Sequence, residues 1–82
     1  MEKFYVEVTD TFGGEPNYSW VHSFIVAASS PQGAIGRVSQ ETGYAFRKYW
    51  DAGDFIRYNV RGACVCAVVS YYDADIHEGK EI

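Results

Sequence analysis

Cysteine, proline and methionine are scarce in this chain, at two, two and one among 82 residues. Two cysteines cannot build a disulfide framework of the kind small secreted domains use. Cys64 and Cys66 sit two apart in a strand-like run, where their side chains point the same way and an ordinary disulfide cannot close. They read as small buried apolar residues of a reduced, cytosolic protein. Positive charge is also short: seven Lys and Arg stand against eleven Asp and Glu, a formal net charge of −4. That argues against a general nucleic-acid binder, which needs a basic excess to neutralise phosphates. Long apolar runs are missing as well. The longest, Ala63 to Val69, is far too short to span a bilayer, and no N-terminal stretch has the pattern of a secretory signal. No membrane partner is expected.

Aromatic residues are what the chain has in quantity, at 17% of the total within 48% hydrophobic. Large rings suit a small fold, because each removes roughly 150–250 Å² from water when buried. The run from Gly43 to Tyr72 is aromatic and β-prone, and it holds Arg47, Lys48, Arg57 and Arg61, four of the seven basic residues. Between Arg37 and Arg61 the net charge is +2, which leaves −6 on the rest.

Lys3 to Thr9 alternates, with Phe4, Val6 and Val8 on one face and Tyr5, Glu7 and Thr9 on the other. This is the pattern of a half-buried strand. Asp10 to Tyr18 is dense in turn formers and predicts a long hairpin loop. Ser19 to Ala28 follows as a second strand, with Trp20, Phe24 and Val26 inward and His22 on their side. Ser30 and Pro31 open a helix as N-cap and first residue. Ala34, Ile35 and Val38 form its apolar stripe, and Gly43 closes it. Gly33 and Gly36 weaken that helix, and they let it lie close against the strands. Three strands follow: Tyr44 to Trp50, Phe55 to Arg61, and Ala63 to Tyr72.

The fold class expected is therefore α+β. A twisted antiparallel sheet of about five strands, in the order β-β-α-β-β-β, carries one short helix on one face. Residues 1–74 form a single domain, and residues 75–82 a polar, flexible C-terminal tail.

Catalytic chemistry is thinly supplied. The metal-ligating residues Cys64, Cys66, His22 and His77 lack the spacing of a zinc site. No Cys–His signature of nucleophilic catalysis is present, and Asp51 and Asp54 flank a turn that accounts for them. Gly13-Gly14 is followed by a strand and lacks the pattern of a phosphate loop. The chain reads as a non-enzyme with no cofactor and no metal.

Binding has better material. Arg57, Asn59 and Arg61 alternate with Ile56, Tyr58 and Val60, so one face of that strand presents a polar ladder. Arg47 shares a face with Ala45 and Tyr49, while Tyr44, Phe46, Lys48 and Trp50 line the other. Arginine beside tyrosine is the composition of an interface hot spot. The same groups could stack bases or grip phosphates on an open sheet. Phe12 and Tyr18, set around two glycines in the first loop, add a second candidate surface. The candidate partner-binding residues are Arg47, Tyr49, Arg57, Asn59, Arg61, Phe12 and Tyr18.

In pattern, FYVEVTDTFGG, then FIVAASSPQGAI, then the aromatic C-terminal strands, the chain resembles small orphan proteins of bacteriophages, anti-CRISPR proteins among them. The resemblance is one of architecture, and no functional residue is carried over from it. It implies an inhibitor in the bacterial cytoplasm that docks without catalysis on a host protein complex, CRISPR–Cas or another defence effector, and blocks it sterically. The acidic excess would suit a target lined with Lys and Arg. The alternative is a small nucleotide or single-stranded nucleic-acid binding module using the Arg/Tyr face. A homodimer is a third possibility.

Overall fold

The computed structural model describes residues 1–82. Its elements are β1 (Glu2–Phe12), β2 (Glu15–Ala28), α1 (Pro31–Thr42), β3 (Phe46–Asp51), β4 (Phe55–Val60), β5 (Val65–Tyr71) and β6 (Lys80–Glu81). They make an α+β fold: one six-stranded sheet in the order β3-β4-β5-β1-β2-β6, with a single helix. Every pairing is antiparallel except β2 with β6, which is parallel. No helix is long and apolar enough to cross a membrane.

Period-two alternation decides which face the helix covers. Phe4, Val6 and Val8 of β1 join Phe24, Val26 and Ala28 of β2 and Val65, Ala67 and Val69 of β5 in one buried cluster. Ala34, Ile35 and Val38 of α1 close it from above, all within 2% of complete burial. Tyr58 is drawn in from β4, and its hydroxyl lies 3.4 Å from Gln32 Oε1. Burial raises the pKa of that phenol.

The helix ends follow from local chemistry. Ser30 has extended backbone angles, and its Oγ accepts the Gly33 N–H at 3.1 Å, while Pro31 needs no such partner. Gly43 sits at φ 83°, and its N–H returns to the Ser39 carbonyl at 2.8 Å. Close helix–sheet packing does not explain the internal glycines. A Cβ on Gly36 would meet nothing within 4 Å, and one on Gly33 would make ordinary contacts at 3.5 Å.

The loop expected from Asp10 to Tyr18 is instead a tight hairpin. Gly13 and Gly14 take φ values of 63° and 84°, as a two-residue type I′ turn requires. Phe12 and Glu15 already pair across it. The surplus residues form a bulge: Thr9 pairs with Val21 but Thr11 pairs with Pro16, so β2 carries the extra length.

Two further expectations change. Segment 75–82, read as a polar tail, carries the sixth strand. Its Ile82 N–H bonds to the Ile25 carbonyl at 3.1 Å, and Lys80 reaches Glu41 on the helix at 2.9 Å. Cys64 precedes β5 and is exposed, and only Cys66 is buried. The strand begins later than the apolar run suggested.

Two glycine substitutions should act in opposite directions. Gly36→Ala fills open space in a helix interior and should stabilise by about 0.5–1 kcal/mol. At Gly79 an added Cβ would stand 2.9 Å from the Ser23 carbonyl carbon and oxygen. Gly79→Ala should therefore push the C-terminal segment off β2 and cost about 1–3 kcal/mol. Urea unfolding midpoints of the two variants check both signs.

Candidate binding face

The helix-free face of the sheet holds most of the candidate residues. One cross-strand row runs Trp50, Arg57, Val68, Glu7, Ser23 from β3 to β2. The next runs Arg47, Asn59, Cys66, Thr9, Val21. Sequence alternation put Trp50 on the opposite side from Arg47. A bulge between Lys48 and Trp50 reverses that parity. Trp50 therefore joins Tyr49 on the arginine side, where its ring meets Phe55 edge-on at 5.6 Å.

Arg57 is not part of a solvated ladder. It is 7% exposed. Its guanidinium donates from Nη2 to the Gly14 carbonyl at 2.7 Å and from Nε to Asn59 Oδ1 at 3.1 Å. The Tyr49 ring lies 4.8 Å from its central carbon, a cation–π contact. The three ion pairs of the protein are Lys3–Glu81, Lys48–Asp51 and Lys80–Glu41. All three lysines are thus engaged and no arginine is. Arg47 and Arg61 stand exposed beside Asn59 and Tyr49, lining a shallow depression of ≈ 230 Å³.

The hairpin tip is bent over this face by the bulge in β2. Thr9, fully buried, accepts the Tyr18 N–H at Oγ1 (3.1 Å) and donates to the Trp20 carbonyl (2.8 Å). Tyr18 takes a φ of 57°, in the left-handed region a tyrosine seldom enters. Asp10 fastens the other side, accepting from Ser19 N and Asn17 Nδ2, both at 2.9 Å. Hydrogen bonding from Ser19 and then Asn17 holds its carboxyl well below the usual carboxylate range.

Between the bent tip and the sheet lies a pocket of ≈ 350 Å³. Glu15, Pro16 and Tyr18 form its hairpin side, and Trp50, Phe55, Arg57 and Val68 its floor. A wider hollow of ≈ 660 Å³ lies between Gly53-Asp54 and the segment Tyr71–His77. It is open to solvent and lined by no arginine or lysine.

No protein-family model, curated protein or solved structure matches this chain. The geometry alone speaks for the site.

Five candidates are thus brought together: Arg47, Tyr49, Arg57, Asn59 and Arg61. Tyr18 faces Arg57 across the pocket. Phe12 stands apart at the hairpin tip, 80% exposed, and lines neither the depression nor the pocket. Trp50, Phe55, Glu15 and Pro16 were missed. The Lys-Tyr-Trp-Asp run carried no mark of its bulge, and Pro16 looked like loop.

The other end of the face is covered by the C-terminal segment. His77 stacks on Tyr5 at 3.9 Å with rings parallel to 1°, and its Nδ1 accepts the Asp73 N–H at 3.0 Å. The Tyr5 hydroxyl lies 3.0 Å from Ser23 Oγ and 3.2 Å from Glu7 Oε2, and burial raises its pKa. His22 is exposed near Trp20, with ring centroids 5.4 Å apart. No three His, Cys, Asp or Glu side chains converge anywhere. Burial pushes the Cys66 thiol up, away from the thiolate form.

Thr9→Val should cost about 1–3 kcal/mol by leaving the Tyr18 N–H and the Trp20 carbonyl without their partner. Asp10→Asn tests the second fastening. The folded pKa of Asp10 lies below its ordinary 3.8, so its contribution is complete above 3.8 and is lost progressively as pH falls from there through the lower folded value. The variant should be less stable than the parent at neutral pH, with the gap closing in acid. A gap that stayed constant down to about pH 2 would show that Asp10 acts through something other than its charge.

Proposed function

We propose that this chain is a non-enzymatic binding protein whose helix-free face, at its β3–β4 end, contacts a macromolecular partner. One observation carries the reading. Tyr18, Tyr49 and Trp50, which are 51%, 63% and 56% exposed, surround arginines that no carboxylate neutralises. Exposed aromatics beside unpaired guanidinium groups are the make-up of interface hot spots, because both give large contact at small entropic cost.

The partner we favour is a protein complex. Resemblance to small phage anti-CRISPR proteins points to a bacterial defence or nucleic-acid-processing assembly, inhibited by steric blockage. A second reading is supported by the corner of Arg47, Arg61, Tyr49 and Asn59. Free cations beside a ring on an open sheet suit a nucleotide or a single strand.

Affinity capture from a bacterial lysate, with and without nuclease, separates the two when the variant Trp50→Ala, Arg47→Glu is run alongside. Both residues are exposed, so its thermal midpoint should stay close to the parent's. Capture of a protein complex should survive nuclease and fall about 30-fold or more in the variant. A complex retained equally by the variant would place the interface elsewhere. Retention lost to nuclease, with affinity falling steeply in salt, would favour the nucleic-acid reading.

A further inference from the structure

Arg57 poses a physical problem that the fold alone does not solve. Arg57 is 93% removed from solvent as a residue, a costly place for a cation unless a counter-charge sits beside it, and no carboxylate lies within ion-pair distance. Gly14 and Asn59 use two of its three nitrogens. Nη1 makes no hydrogen bond within the protein, yet it is not sealed off, since no buried side-chain nitrogen is left unpartnered. The cation therefore keeps one open donor edge. Arg57 also lines the ≈ 350 Å³ pocket beneath the hairpin, where Trp50, Phe55 and Tyr18 supply aromatic walls.

We propose that this pocket binds an organic carboxylate carried on an aromatic body, its anion meeting Arg57 and its ring held against Trp50, Phe55 and Tyr18. The size fits: the volume is at the lower end for ligand pockets and suits a body of one amino-acid residue. The charge sets the anion's class. Arg57 is the one basic residue lining the pocket, and Glu15 lines its hairpin side, so a single negative charge is tolerated better than a phosphate's two. A carboxylate accepts from planar N–H donors in the geometry a guanidinium offers, and such charge-assisted hydrogen bonds are stronger than neutral ones. The shared chemistry is that of a free aromatic carboxylic acid or of a peptide's C-terminal aromatic residue. The pocket lies on the proposed interface, but its ligand is read from its own walls. Titration and lysate capture can therefore fail independently.

The test is a titration of ¹⁵N-labelled protein followed by NMR, with three probes. They are N-acetylphenylalanine, its primary amide, and a short peptide ending in phenylalanine with a free carboxylate. The acid should shift the Gly14 and Glu15 amides, the Arg57 Nε–H and the Trp50 indole N–H. The amide should bind roughly tenfold more weakly or worse, as loss of a charge-assisted hydrogen bond demands. Tighter binding of the peptide than of the acid would assign the site to a chain end, and weaker binding would assign it to a free small molecule. Arg57→Gln is expected to loosen the hairpin, so two surface variants carry the mutational test. Trp50→Ala should weaken the acid several-fold, and Glu15→Gln should tighten it. No shift at millimolar acid, or equal affinity for acid and amide, would overturn the proposal.

Discussion

The short hydrogen bond from Arg57 to the Gly14 carbonyl, at 2.7 Å, organises the β3–β4 end of the helix-free side of this protein. It joins residues 43 positions apart and fastens the tip of the β1–β2 hairpin to β4. Without it the tip would be a free two-stranded ribbon, which is marginal in water. With it, the tip becomes one wall of a pocket, Tyr49 gains a cation to stack on, and Asn59 is locked in place. The cost is a buried charge with neutral partners only.

The two faces of the sheet solve different problems. On the helix side, alternating apolar side chains and one capped helix build a continuous dry core, and the helix contributes only three buried residues. The other side has no second helix to cover it. Its coverage is improvised from the ends of the chain: the hairpin tip folds over β4 and β5, and the C-terminal segment lays His77 on Tyr5. At the β3–β4 end, aromatic and arginine side chains remain accessible. Thr9 and Asp10 matter for the same reason, because they hold the bulge that lets β2 bend.

The parts legible in the sequence were those set by local chemistry. Ser30-Pro31 and Gly43 bound the helix, since caps depend on a few neighbouring residues. The inward set Phe4, Val6 and Val8 followed from period two, and with it the α+β class. The missed parts depend on partners far along the chain. Glu15-Pro16-Asn17 read as loop, because nothing local shows that Gly13-Gly14 makes the turn unaided and the surplus becomes a bulge. Trp50 changed sides through a one-residue bulge whose cause lies in its pairing with β4. Arg57 looked like a solvated arginine because its acceptor, a backbone carbonyl, has no sequence signature. Gly79 looked like part of a polar tail until the Ser23 backbone was found against it.

A binding reading follows from this division of labour: the buried half of the fold holds itself together, and the open half is preorganised but unfinished. Its central claim is that the hairpin tip is held in place before any partner arrives. The most direct measurement is ¹⁵N relaxation of the free protein, giving order parameters for the amides of Gly13 to Tyr18. The account predicts values close to those of the strands, about 0.85, falling below about 0.6 in Arg57→Gln. Low values at the tip in the parent protein itself would contradict it.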